Sequence, residues 1–287
     1  MSAASLNITA AELRARLDRI VGERSPATSK SAARLSAVEQ YLEEELAAMG
    51  LRVESDFFSY RGRSFRNVIA RTSAPQRAPL VVLGAHFDSV QGSPGADDNA
   101  SGVAALLEAA RVLSRMKLRN EVLFCAFNLE ELNMIGSSHL AKRLKSEGAT
   151  VAGMLSLEML GYTDRRPGSQ RYPPGFGWFY PDRADFIAVV GNRRSAALLK
   201  SFASALKEID GLPVETLSVI GNGFLVPQVR LSDHAPFWDA GFPALLLTDT
   251  AFMRNPNYHT AFDTIETLDL EFMAKVCRGI VNGVAGL

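Results

Sequence analysis

Three apolar, β-branched runs in this chain each lead into residues that can bind a cation or move a proton. PLVVLGAHFDS ends in His86-Phe87-Asp88, EVLFCAFNL runs into Glu130-Glu131, and VAGMLSLEML carries Glu158 near its end. Two loops add more such groups: Gly95-Ala96-Asp97-Asp98-Asn99, just ahead of a helical pattern, and Asn255-Pro256-Asn257-Tyr258-His259-Thr260, after the last apolar run. Taken singly, most have a plain structural explanation. His86 alone would be a satisfied core histidine, a Glu-Glu pair ordinarily faces solvent, and Asp97 and Asp98 suit a turn and a helix cap. Glu158 is different, because a carboxylate between Leu157 and Met159 in an apolar run needs a partner. Brought to one place, these carboxylates would repel one another unless cations neutralised them. Imidazole plus carboxylate donors suit zinc, and a set that keeps an open position suits catalysis. Two ions about 3.5–4 Å apart, sharing one carboxylate, would make a co-catalytic centre. The absence of Cys-rich zinc motifs argues against a purely structural metal site.

The elements around these residues supply a means of gathering them. Residues 9–21 and 31–49 carry apolar side chains at helical spacing, the second run stopped by Gly50. The alternating runs 51–59 and 65–71, either side of Arg61-Gly62-Arg63, read as a β-hairpin. After them, strands (the PLVVLGAHFDS run, then 121–129, 151–160, 185–190, 213–219 and 243–248) alternate with helices (100–116, 137–146, 194–209, 234–240 and 270–284). A proline- and glycine-rich segment, 164–182, reads as a long loop. The alternation predicts an α/β fold spanning 1–287 as one domain, with a mostly parallel central sheet and helices on both faces. Residues 1–75 would be a helical and hairpin portion of that same domain. In such sheets functional groups collect outside the carboxyl ends of the strands, where His86, Glu131 and Glu158 fall.

Composition narrows the partner. Lys plus Arg equals Asp plus Glu, at 31 each, so no global field favours nucleic acid or a membrane surface, and a peptide or aminoacyl small molecule fits better. No stretch reaches the roughly 18 apolar residues of a membrane span, and the N-terminus lacks a signal-like apolar core. Cys125 and Cys277 read as buried free thiols, so a cytoplasmic location is expected. Oligomeric state leaves no mark in the sequence.

The motifs HFDS (86–89), PGADDNASG (94–102), NLEELNMIGS (128–137), LEM (157–159), SDHAPFWDAGFPAL (232–245) and YHTAFDT (258–264) resemble the co-catalytic zinc exopeptidases. That family takes in bacterial leucyl aminopeptidases, glutamate carboxypeptidases and, as a divergent branch, glutaminyl cyclases. The resemblance covers roughly 80–265 and implies a phosphorylase/hydrolase-like fold. It implies two zinc ions per chain, one held by His86 and Glu158, the other by Glu131 and His259, with Asp98 bridging both. Glu158 stands where many aminopeptidases of the family have Asp. The resemblance further implies that Glu130 is the general base, that Asp88 accepts the second ring N–H of His86, and that the Asp98–Asn99 peptide is cis. His234 is expected to line the substrate site, oriented by Asp233. Met159 and Tyr258, each next to a ligand, are expected with Phe252 to line an apolar pocket that favours uncharged side chains. One departure stands out. Secreted leucyl aminopeptidases carry a tyrosine shortly before SDH that stabilises the tetrahedral intermediate, and this chain has Val229-Arg230-Leu231 there. Oxyanion stabilisation must then come from zinc alone or from another donor, with Arg230 and His234 as candidates.

The function expected is hydrolysis of a terminal peptide bond, with aminopeptidase favoured over carboxypeptidase. A carboxypeptidase needs a basic clamp for the terminal carboxylate, for which Arg230 and Arg254 are candidates. A single-zinc glutaminyl cyclase is the alternative. A metal-free binding domain fits poorly, since every ligand and the Glu130 base are retained.

Overall fold

In the computed structural model, which describes residues 7–73 and 78–287, two capped helices lead in. Helix α1 (Ala10–Ile20) starts on a reciprocal cap, in which Thr9 accepts the Glu12 N–H and the Glu12 carboxylate accepts the Thr9 N–H. It buries Leu13, Leu17 and Ile20. Helix α2 (Ser29–Ala48) is capped by Thr28 with Ser31 in the same way. Strands β1 (Arg52–Tyr60) and β2 (Arg63–Arg71) form the hairpin. Its turn is two residues, Arg61 at φ 48° and Gly62 at φ 74°, with Arg63 already paired to Tyr60. Positive φ at both central positions matches the twist of the flanking strands.

The remaining strands are β3 (Leu80–His86), β4 (Glu121–Phe127), β5 (Val151–Glu158), β6 (Ile187–Asn192), β7 (Val214–Val219) and β8 (Ala244–Thr248). They join the hairpin in one eight-stranded sheet, ordered β1-β2-β4-β3-β5-β8-β6-β7. The four central strands, β4, β3, β5 and β8, are parallel. β2 pairs antiparallel with β4 on one side, and β6 pairs antiparallel with β8 on the other, so the sheet is mixed but mostly parallel. Helices cover both faces. Val81, Leu83 and Ala85 pack toward α1, α2, α3 (Gly102–Leu113), α5 (Ala196–Lys207) and α7 (Leu270–Ala285). Leu80 and Val82, turned the other way by strand alternation, pack toward α4 (Ile135–Ser146) and α6 (His234–Ala240). The central strands are buried on both faces, which is why they read as unbroken apolar runs.

Among the described residues no helix is long and apolar enough to cross a membrane. Cys125 and Cys277 are buried and unpaired. The carboxyl ends of β3, β4, β5 and β8 lie along one edge of the sheet, and the loops that leave them carry the chemistry.

Candidate active site

His86 and Glu158 are the last residues of β3 and β5, Glu130 and Glu131 follow β4, and His259 follows β8. The structure brings all of them together with Asp98. In one triad, His86 Nε2 lies 3.3 Å from Asp98 Oδ1 and 3.3 Å from Glu158 Oε1. In the other, His259 Nε2 lies 3.0 Å from Asp98 Oδ2 and 3.3 Å from Glu131 Oε2. Each triad offers three donor atoms within 4.8 Å of one another, and Asp98 serves both with its two oxygens. Glu130 stands just outside, its Oε2 3.9 Å from His86 Nε2.

The donor set fits a pair of cations. Asp98 Oδ1 and Glu131 Oε1 are buried without a hydrogen-bond partner, which protein structures rarely tolerate. Burial pushes the Glu130 carboxyl well above its usual range, and Glu158, Asp233 and Glu131 add to this against the opposing pull of His86. Burial likewise takes Glu131 up to about 7. Such a concentration of carboxylates is relieved by positive charge at its centre, and imidazole with carboxylate is a zinc set.

Backbone pinning holds these groups in place. Asp98 sits in a single wide turn, Ala96–Ser101, and the Asp98–Asn99 peptide is cis. Asp263, from the YHTAFDT motif, accepts the N–H of Asp97 at 2.8 Å and of Asp98 at 3.1 Å. The Asn99 amide ties the turn to the end of β5, donating to the Leu157 carbonyl at 2.8 Å and accepting the Met159 N–H at 3.0 Å. Gly102 is required beside it, since a Cβ there would collide with the Asn99 amide and the Leu157 carbonyl. Asp88 accepts the N–H of Glu130 at 3.0 Å and of Glu131 at 3.2 Å, after Leu129 turns the chain at φ 60°. The expected bond from His86 Nδ1 runs instead to the Asp88 carbonyl at 3.3 Å, with the carboxylate at 3.5 Å. Asp88 thus positions the Glu130-Glu131 backbone more closely than it does the imidazole. Ser232 donates to Glu158 Oε2 at 2.7 Å, so the serine of SDH is the member of that motif that touches the centre.

Nothing in the local sequence marks Arg24 as a site residue. It is fully buried, and its guanidinium donates to the carbonyls of Ile20, Gly22, Phe87, Pro94 and Gly95. Those bonds clamp the segments that carry Asp88 and Asp98. Arg24→Leu leaves five carbonyls without that donor, and a loss of about 3–5 kcal/mol is expected. Urea unfolding of the two proteins measures it, and a change under about 1 kcal/mol would show that the clamp is dispensable.

The model of peptidase family M28 matches residues 67–284. The chain belongs to that family. It is 36% identical over 268 residues to the uncharacterized protein YfbL of Escherichia coli, covering 90% of this chain and 82% of that one. It is 27% identical to a probable leucine aminopeptidase of Arthroderma otae, over 86% of this chain and 63% of the relative. The LapA aminopeptidase of Legionella pneumophila shares the fold at a TM-score of 0.78 and 22% identity, covering 99% of this chain and 73% of that one.

Beside the M28 centre, on its Glu158 and Tyr258 side, lies a cleft that opens to solvent. Phe252 and Tyr258 line it, their ring centroids 5.7 Å apart, and the Tyr258 ring stacks on His259 at 3.7 Å. Two expectations fail. Met159 is fully buried, because a turn at φ 50° directs its side chain into the core. His234 is fully buried too. Its Nε2–H donates to the Val229 carbonyl at 2.8 Å, its ring packs edge-on against Trp238, and burial lowers its pKa to about 3. It is a neutral helix-start residue with no bond to Asp233. Arg230 and Arg254 are also engaged elsewhere. Arg230 pairs with Asp239 at 2.7 Å and bonds the Asn222 carbonyl. Arg254 is buried against Gln170 and the Phe186 carbonyl.

Proposed function

We propose that this M28 protein is a zinc-dependent aminopeptidase that holds two ions, one on His86, Asp98 and Glu158 and the other on Asp98, Glu131 and His259. The observation that carries the choice is the cleft itself: among its described lining residues there is no Lys or Arg, while Glu158 stands at its inner end. A terminal ammonium suits that end, and a terminal carboxylate does not.

Zinc bound there would polarise the scissile carbonyl and acidify water. The protein's own part is proton movement and positioning. Glu130 takes the proton of the attacking water and returns it to the departing amine, and the Asp88 bond to its backbone N–H keeps the carboxylate aimed at the centre. Tyr258 takes the place of the missing tyrosine as donor to the developing oxyanion. Its ring lines the cleft and packs on His259, and the carboxylates of Asp98, Glu131, Glu158 and Glu130 all act on its hydroxyl. Tyr258→Phe is therefore expected to lower kcat roughly 10²-fold with little change in KM. Arg230→Ala should leave kcat nearly intact, and the reverse pattern in steady-state kinetics would restore Arg230 as the donor.

Assay of free against N-acetylated aminoacyl and peptide substrates, with metal analysis of the same protein, tests the reading. A carboxypeptidase would have to use Arg61 and Arg63, which line a separate depression beside Glu131, and would cleave the blocked peptides. A cyclase would close N-terminal glutamine and function with one ion. The two buried free thiols fit the reducing conditions of a cytoplasm.

A further inference from the structure

The floor of the cleft is a row of paired residues. Glu158 on β5 pairs with Thr248 on β8, Thr248 with Ala188 on β6, and Ala188 with Glu215 on β7. Side chains in one cross-strand row point to the same face, so the carboxylates of Glu158 and Glu215 rise at the two ends of one trough. Three strand spacings put their backbones about 14 Å apart. Between them stand only a threonine and an alanine, which leave the trough open along its length.

Its far end is built for a cation. Tyr172, Phe176 and Tyr180 wall it, with Tyr172 and Tyr180 stacked at 5.9 Å and Phe176 and Tyr180 at 6.4 Å. Glu215 is half-buried and charges both tyrosines' surroundings. Among the described residues its carboxylate has no ion pair and no hydrogen bond. Lys207 acts on it only at long range. A carboxylate left this way among aromatic rings is costly unless the ligand pairs with it.

We propose that Glu215 selects substrates whose N-terminal residue is lysine or arginine. The proposal rests on the aminopeptidase reading of the same site. With the α-amine at the Glu158 end, a lysine or arginine side chain extends about 6–7 Å from its Cα, and a contact of about 2.8 Å at each end fills the trough. Its methylene stem lies over Ala188 and Leu217, and its cationic end meets Glu215 and the faces of the tyrosine rings. A leucine side chain stops short and leaves Glu215 desolvated and unpaired. An acidic side chain is repelled. The apolar pocket expected from the motifs is present, but its far end is charged.

The test compares lysyl, arginyl, methionyl and leucyl 4-nitroanilides on the zinc-loaded protein and on Glu215→Gln. In the wild type the basic substrates should lead by roughly 10-fold or more in kcat/KM. In the variant they should fall roughly 10–100-fold, while the methionyl substrate stays within about 3-fold. Calorimetric binding of L-lysine against L-norleucine, which differs by the terminal amine, supplies a readout without turnover. Lysine should bind more tightly to the wild type and lose that lead in the variant. Hydrolysis with an unmoved lysyl-to-methionyl ratio overturns the role of Glu215 and leaves the aminopeptidase reading standing. Absence of all anilide hydrolysis sinks the aminopeptidase reading, and the role of Glu215 then stands or falls on whether lysine outbinds norleucine.

Discussion

Glu130→Gln is expected to keep the full metal content of the protein and to lose roughly 10²–10⁴-fold in kcat. Glu130 lies outside both donor triads, with its Oε2 3.9 Å from His86 Nε2. The amide keeps the shape of the side chain, and the bond that places it runs from its backbone N–H to Asp88, which the substitution does not touch. What disappears is the ability to accept a proton. Metal analysis and kcat measured on the same sample separate the outcomes. Full activity at full metal content removes the base assignment, and loss of metal would make Glu130 a ligand.

Asp98→Ala should have an effect at least as large, through the metals. Asp98 gives one oxygen to each triad, and among the described residues it is the one member the two triads share. Its loss should lower zinc content and cut kcat/KM by roughly 10³-fold or more, equivalent to about 4 kcal/mol of transition-state stabilisation. A second signature is thermal. A ligand that binds only the folded state adds about 2.7 kcal/mol at a free concentration 100 times its Kd. In a chain of this length that raises Tm by roughly 4–5 °C. Wild-type protein stripped with a chelator should regain that increment on zinc addition, and Asp98→Ala should regain much less. An equal zinc-induced rise in both would mean that Asp98 does not bridge.

Much of the architecture is written locally. The β-branched runs, the Thr9 and Thr28 caps and the apolar spacing of α1 and α2 are short-range patterns, and they recur as elements within a few residues of where periodicity places them. The site followed from the same logic. A donor residue at the end of each buried parallel strand must arrive at one sheet edge, so the meeting of His86, Glu131 and Glu158 was inferable without coordinates. Asp263 shared a motif with His259 but showed no sign of its partner, because its bonds reach back 166 and 165 residues to the Asp97 and Asp98 amides.

What only the tertiary structure decided is direction and register. Met159 and His234 sit beside site residues in sequence, yet one positive-φ turn and one helix start send both into the core, while Ser232 two residues before His234 reaches Glu158. Arg24 gained its role from carbonyls brought to it by three separate segments. Glu215 is the clearest case. It becomes the far end of the Glu158 cleft only because β6, antiparallel to β8 and parallel to β7, lies between them in a particular register. A shift of one residue in that pairing would send it to the other face of the sheet. Local pattern determines which face of an element is apolar. Which residues then stand opposite one another depends on contacts far apart in the chain, and no window of sequence contains them.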